Sequence, residues 1–92
     1  PQVKTFNITG RNFTFSISEI RVKRGDTVKI NFQSTEGFHN WTLEGYGVGT
    51  KAVTPGTPTS VEFVADLAGT FEYYCYVGNH RSLGMVGKLI IE

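Results

Sequence analysis

Cysteine and methionine each occur once in this chain, and histidine only twice. One cysteine cannot close an internal disulfide, so no covalent staple holds the fold. The lone thiol is then a small buried hydrophobe, a reactive group or a ligand. Long apolar runs are also missing: nothing approaches the ~18 consecutive apolar residues of a membrane-spanning helix. No block of like charge occurs. Lys and Arg are scattered, the densest basic run is "RVKR", and the net charge is +1, which argues against nucleic acid as a partner. Helical periodicity is weak, and there is no internal repeat. The spaced glycines of "GYGVGT" precede no helical pattern, so they do not read as a phosphate loop.

What the chain does have is two-residue alternation. "NFTFSI" sets Phe13, Phe15 and Ile17 on one face, and "TVKINFQ" does the same with Val28, Ile30 and Phe32. "SVEFVA", "TFEYYCY" and "GKLIIE" follow suit. Gly and Pro punctuate these runs in "RGDT", "STEG", "TPGTP" and "LAGT". Strands are predicted over Val3–Thr9, Asn12–Ser18, Thr27–Gln33, Trp41–Leu43, Ser60–Val64, Thr70–Cys75 and Val86–Ile91, with 44–59 the longest irregular stretch. The 92 residues suit one domain, 1–92. The expected fold is all-β: an antiparallel, Greek-key sandwich or barrel of about seven or eight strands.

The rare residues are clustered. "CYVGNHRSLGM" holds Cys75, His80 and Met85 within eleven positions, as C-x4-H-x4-M. Strand phase turns Cys75 to the same side as Phe71 and Tyr73. The second histidine, His39, lies upstream in "FHNWTL". Taken singly, a strand-ending Cys is usually filler, a Met a gap-filler and a loop His solvated. Taken together they form a borderline-soft donor set. Two imidazoles, a thiolate and a weak axial thioether are the ligands of blue-copper electron-transfer sites. A structural zinc site has no use for Met, and an iron–sulfur cluster needs about four Cys. A Cys–His nucleophile needs no Met and wants an orienting third group.

At these residues the sequence resembles the cupredoxins, the small blue copper proteins that include plastocyanin, azurin and rusticyanin. "NFTFSISEIRVKRGDTVKINF" resembles the family's early strands, "HNWTL" the segment of its first histidine ligand, and "YYCYVGNHRSLGM" its ligand loop. That loop is longer than plastocyanin's, shares C-x4-H with azurin and has the rusticyanin-type spacing. The resemblance implies His39, Cys75 and His80 as equatorial copper ligands and Met85 as the axial one. It further implies that the Asn40 N–H meets the Cys75 sulfur and that the Asn40 side chain joins the two ligand loops. Phe38 stands where azurin has glycine. The Cys-x3-Cys pair of a binuclear centre is absent, since Asn79 stands four residues after Cys75. Both histidines are already used, so no ligands remain for a second, substrate-binding copper.

The functional expectation is a mononuclear type 1 copper electron carrier, not an enzyme. A copper storage or delivery module is the alternative. Redox proteins would dock near His80, against Phe38, Leu83 and Val48. No small-molecule substrate is expected, and the chain is expected to be monomeric. A periplasmic or other extracytoplasmic location goes with this, as a free protein or one cut from a longer secreted or membrane-anchored chain. Trp41, Tyr73, Tyr74 and Tyr76 are expected to serve packing. Sequons stand at Asn7, Asn12 and Asn40, and a glycan on Asn40 would crowd His39.

Overall fold

A computed structural model describes residues 1–92. Nine strands follow one another: β1 Val3–Arg11, β2 Thr14–Phe15, β3 Glu19–Val22, β4 Thr27–Ser34, β5 Thr42–Leu43, β6 Val48–Gly49, β7 Thr59–Val64, β8 Gly69–Tyr74 and β9 Val86–Ile91. They form two sheets, ordered β2-β1-β4-β7 and β3-β9-β8-β5-β6. The expected all-β sandwich is therefore present. No helix is long and apolar enough to cross a membrane.

The sheets are mixed, not antiparallel. β1 runs parallel to β4 with Ile8 opposite Phe32, and β3 runs parallel to β9 with Ile20 opposite Leu89. Period-two alternation is the same for either strand direction, so the pattern could not tell them apart. The expected strand over Asn12–Ser18 also breaks. Only Thr14–Phe15 pairs with β1, and the chain then turns to make β3 in the other sheet. The stretch 44–59 is less irregular than expected. It contains β6, and Val53 bridges to His39.

Alternation does place the core. Val28, Ile30 and Phe32 of β4 are buried, as are Ile8, Ile20, Tyr73, Leu89 and Ile91. Each fully buried side chain of this size contributes about 1.5–3 kcal/mol. Trp41, also fully buried, packs against Tyr73 at 5.2 Å and Phe63 at 6.2 Å between ring centroids. The Tyr73 hydroxyl donates to the Ile17 carbonyl. Burial, with a smaller effect of Glu19, pushes its phenol above the ordinary value, so it remains a neutral donor. Trp41 and Tyr73 thus pack as expected, whereas Tyr76 is exposed. Val48 packs against the core instead of lying in an open patch.

One turn ties β1 to the start of β4. The Asp26 carboxylate accepts the Lys23 N–H at 3.0 Å and the Gln2 N–H at 3.1 Å. These two bonds hold its pKa below the ordinary carboxylate value.

The register of the second sheet positions everything that follows. β5 pairs antiparallel with β8, Thr42 opposite Tyr74 and Leu43 opposite Tyr73. The residues just before β5 therefore lie beside the residue just after β8. Those residues are His39 to Trp41 on one side and Cys75 on the other.

Candidate metal centre

His39 is held by its backbone and its ring at once. Its N–H donates to the Val53 carbonyl at 3.1 Å, and its carbonyl accepts the Val53 N–H at 2.8 Å. Its Nε2 lies 2.7 Å from the Glu36 carbonyl oxygen. A carbonyl only accepts, so Nε2 carries the proton and Nδ1 keeps its lone pair. Burial, partly offset by the Glu36 carbonyl, keeps the imidazole pKa below its usual value, which favours the neutral, ligating form. Gly37 makes the approach possible. It has φ +84°, and a Cβ there would come within 2.5 Å of Asn12 Oδ1 and 3.0 Å of His39 Nε2.

The other donors come from the loop between β8 and β9. Cys75 and Met85 stand at its two ends, joined by a bond from the Cys75 N–H to the Met85 carbonyl at 3.2 Å. The His80 N–H donates to Val77, and the His80 carbonyl accepts from Leu83 and Met85. Arg81 fastens the outside of the loop. Its guanidinium pairs with Glu72 and, at 2.7 Å, with Glu44, and it lies 3.9 Å above the Tyr74 ring. Nothing in the sequence flagged Arg81, because its partners are set by strand register.

Three donor atoms converge. His39 Nδ1 and His80 Nδ1 are 3.2 Å apart. Cys75 Sγ lies 3.8 Å from His39 Nδ1 and 3.5 Å from His80 Nδ1. The centre of the circle through such a triangle is about 2.0 Å from each corner, close to the length of a metal–nitrogen or metal–thiolate bond. With Nδ1 of each imidazole and the sulfur all aimed at one point, a single cation would take a lone pair from all three. The residues present therefore fit a metal, and an N₂S set with a methionine hydrogen-bonded into the same loop is copper chemistry. Cys75 is free and fully buried, His39 is fully buried, and His80 is half-buried. Met85 is fully buried at the loop's end.

The Asn40 contacts implied by the resemblance are present. Its N–H points at Cys75 Sγ, 3.4 Å away. Its side-chain amide donates to Thr42 Oγ1 and to the Thr50 carbonyl, and its Oδ1 accepts the Tyr76 N–H at 2.8 Å. Asn40 is fully buried, so its sequon is closed to a glycan in the folded chain. Such outer contacts orient the ligands of a metal.

One residue departs from expectation. Phe13 does not turn inward with Phe15. It is 39% exposed, and its ring packs on His80 at 4.8 Å and approaches His39 at 6.4 Å. The β1–β2 hairpin thus reaches over the donor cluster. Sequence alternation could not show this, because it assumes a strand from Asn12 onward, whereas the chain turns at Phe13 and pairs only from Thr14.

The comparisons with known proteins bear on the fold and on the metal. An L-ascorbate oxidase of Nicotiana tabacum is 32% identical over 92% of the chain, which covers 17% of that protein. A copper-containing nitrite reductase of Neisseria meningitidis is 32% identical over 79% of the chain, or 22% of its own length. The chain thus spans about a fifth of the length of these relatives. Among solved structures, auracyanin A of Chloroflexus aurantiacus, described as a "blue" copper protein, superposes with a TM-score of 0.85. It is 25% identical, with 98% of this chain and 99% of that one covered. An auracyanin of Roseiflexus castenholzii gives a TM-score of 0.87 at 21% identity, covering 97% of each chain. The description "Copper binding proteins, plastocyanin/azurin family" matches residues 2–92. With all but its first residue inside that match, the chain belongs to the plastocyanin/azurin family of copper-binding proteins.

Proposed function

We propose that this chain is a one-electron carrier with a single type 1 copper held by His39, Cys75, His80 and Met85. The observation that carries this reading is the triangle of His39 Nδ1, His80 Nδ1 and Cys75 Sγ. Copper held there would supply a one-electron couple, accepting an electron as Cu(II) and donating it as Cu(I). The protein's part is to hold the donors still. His39 is fixed by Val53 and Glu36, Cys75 by Asn40 and Met85, and His80 by its own turn. Donors fixed this well need little movement when the charge changes.

His80 is the donor nearest solvent, which supports its ring edge as the place where electrons pass. Phe13, Phe38, Tyr76 and Leu83 are exposed apolar residues on the segments around it. A redox partner docks there through apolar contact. The net charge of +1 offers little steering, so the encounter is weak and short. The chain acts as a monomer, without nucleic acid or a small-molecule substrate. Both of its histidines serve one copper, so oxidase or reductase chemistry at a second copper is not part of this reading. A periplasmic or other extracytoplasmic location goes with it, and cell fractionation tests that point.

Titration with Cu(II) tests the core of the proposal. One equivalent produces an intense visible thiolate-to-copper band, and Cys75→Ser abolishes it. A colourless protein that takes up zinc at the same stoichiometry overturns the assignment. Repeated reduction and reoxidation beside a competing chelator separates a carrier from a delivery module: the carrier keeps its copper.

A further inference from the structure

Gly10 is a buried residue near the end of β1, inside the sheet. It is not among the glycines with positive φ, so backbone conformation does not demand glycine. Glycine inside a strand weakens it, and often marks a place where another group comes close. Here that group is identifiable. A Cβ on Gly10 would stand 2.8 Å from Phe32 Cζ and 2.9 Å from Met85 Cε. Both are shorter than real carbon contacts allow.

The backbone at Gly10 has little freedom to retreat. It is paired with Ser34 of β4 on one side and with Phe15 of β2 on the other. Its carbonyl accepts the Thr35 N–H at 2.8 Å. The Phe32 ring is backed by Phe15, 6.0 Å away between centroids. What can yield is the end of the flexible Met85 side chain. Gly10 belongs to the four-stranded sheet, while Met85 ends the ligand loop of the five-stranded one. The contact therefore bridges the two layers of the sandwich.

We propose that Gly10 is a positioning residue for the Met85 thioether: the missing Cβ leaves the space its methyl group occupies, and so sets how the sulfur meets the copper site. This rests on the reading of Met85 as the axial ligand. The opposite sheet thereby becomes part of the control of the redox centre.

Gly10→Ala tests this with two readouts. The chain has one methionine, so a ¹³C-methyl methionine label gives one resonance, read in the metal-free protein. Gly10→Ala shifts that resonance. In the copper-loaded protein it keeps one copper per chain but changes the ratio of the visible bands. It also moves the reduction potential in the same direction as Met85→Leu, by no more than that variant does. Adding Gly10→Ala to Met85→Leu produces little further shift, because the two act through one sulfur. If crowding at Phe32 prevents folding, Gly10→Ala with Phe32→Leu removes that clash and leaves the Met85 contact alone. A shift from Met85→Leu with none from Gly10→Ala overturns the role of Gly10 and leaves the axial reading standing. No shift from Met85→Leu overturns both. Full additivity of the two substitutions also overturns the proposal.

Discussion

The Asn40 side-chain oxygen accepts the Tyr76 backbone N–H at 2.8 Å, across a sequence gap of 36 residues. This bond joins the segment that carries His39 to the loop that carries Cys75 and His80. With the Asn40 N–H aimed at the Cys75 sulfur, one buried residue aligns both halves of the site.

Asn40→Ala leaves the Tyr76 N–H and the Thr50 carbonyl without this partner. An orphaned buried donor costs about 1–3 kcal/mol. The urea midpoint of the metal-free protein falls accordingly, and copper passes to a chelator faster than from the parent. Unchanged values for both would remove Asn40 from its linking role.

Met85→Leu keeps the visible colour, since the thiolate and both imidazoles remain. The lost thioether no longer helps to stabilise the more highly charged copper, so the reduction potential rises. Voltammetry reads the change directly. An unmoved potential would mean that Met85 does not reach the metal.

Arg81 fastens the ligand loop through groups that are largely in water, its own side chain being 39% exposed and those of Glu44 and Glu72 56% and 40%. Such pairs contribute less than about 1 kcal/mol. Arg81→Ala therefore lowers the urea midpoint slightly, and the difference shrinks as salt is added. What survives at high salt measures the packing of the guanidinium on Tyr74. A loss that is large and independent of salt would contradict this account.

Asp26 has its pKa lowered by the N–H groups of Lys23 and Gln2. The folded state therefore prefers the ionised carboxylate more than the unfolded state does. Its contribution is fully present above the unfolded value of about 3.9. It is lost as pH falls from there through the lower folded value. Asp26→Asn destabilises the metal-free protein at neutral pH, and the gap to the parent narrows at strongly acid pH. Denaturant titrations at several pH values check the sign. A gap that widens on acidification would refute it.

Much of the sandwich could be read from alternation. Val28, Ile30 and Phe32 fall inward as the pattern requires, and Cys75 shares the buried side of Tyr73. Cys75, His80 and Met85 were legible as candidate ligands because they are rare residues set close together, and His39 because it is the one other histidine. Strand direction was not legible, because side chains alternate identically either way. β3 was missed because four residues with charges at alternate places, Glu19 and Arg21, look like part of a turn. The Glu36 carbonyl that sets the His39 tautomer is a backbone group and leaves no mark in composition. Phe13 was misplaced for a related reason: a hairpin that bends over a site breaks the phase on which the prediction depended.

The distance along the chain between His39 and Cys75 has a kinetic meaning. The two are 36 residues apart and meet only once β5 has paired with β8. Closing a loop of that length costs entropy before any contact repays it, and parallel pairing such as that of β1 with β4 slows a chain further. Cys75, His80 and Met85 need no such wait, being neighbours in one loop. A metal captured by the newly made chain would sit in this local claw without His39, open on one side and easily lost. On the proposed ligand set, His39 would join this claw only when β5 pairs with β8, and firm retention of copper would then report that this long-range pairing has formed.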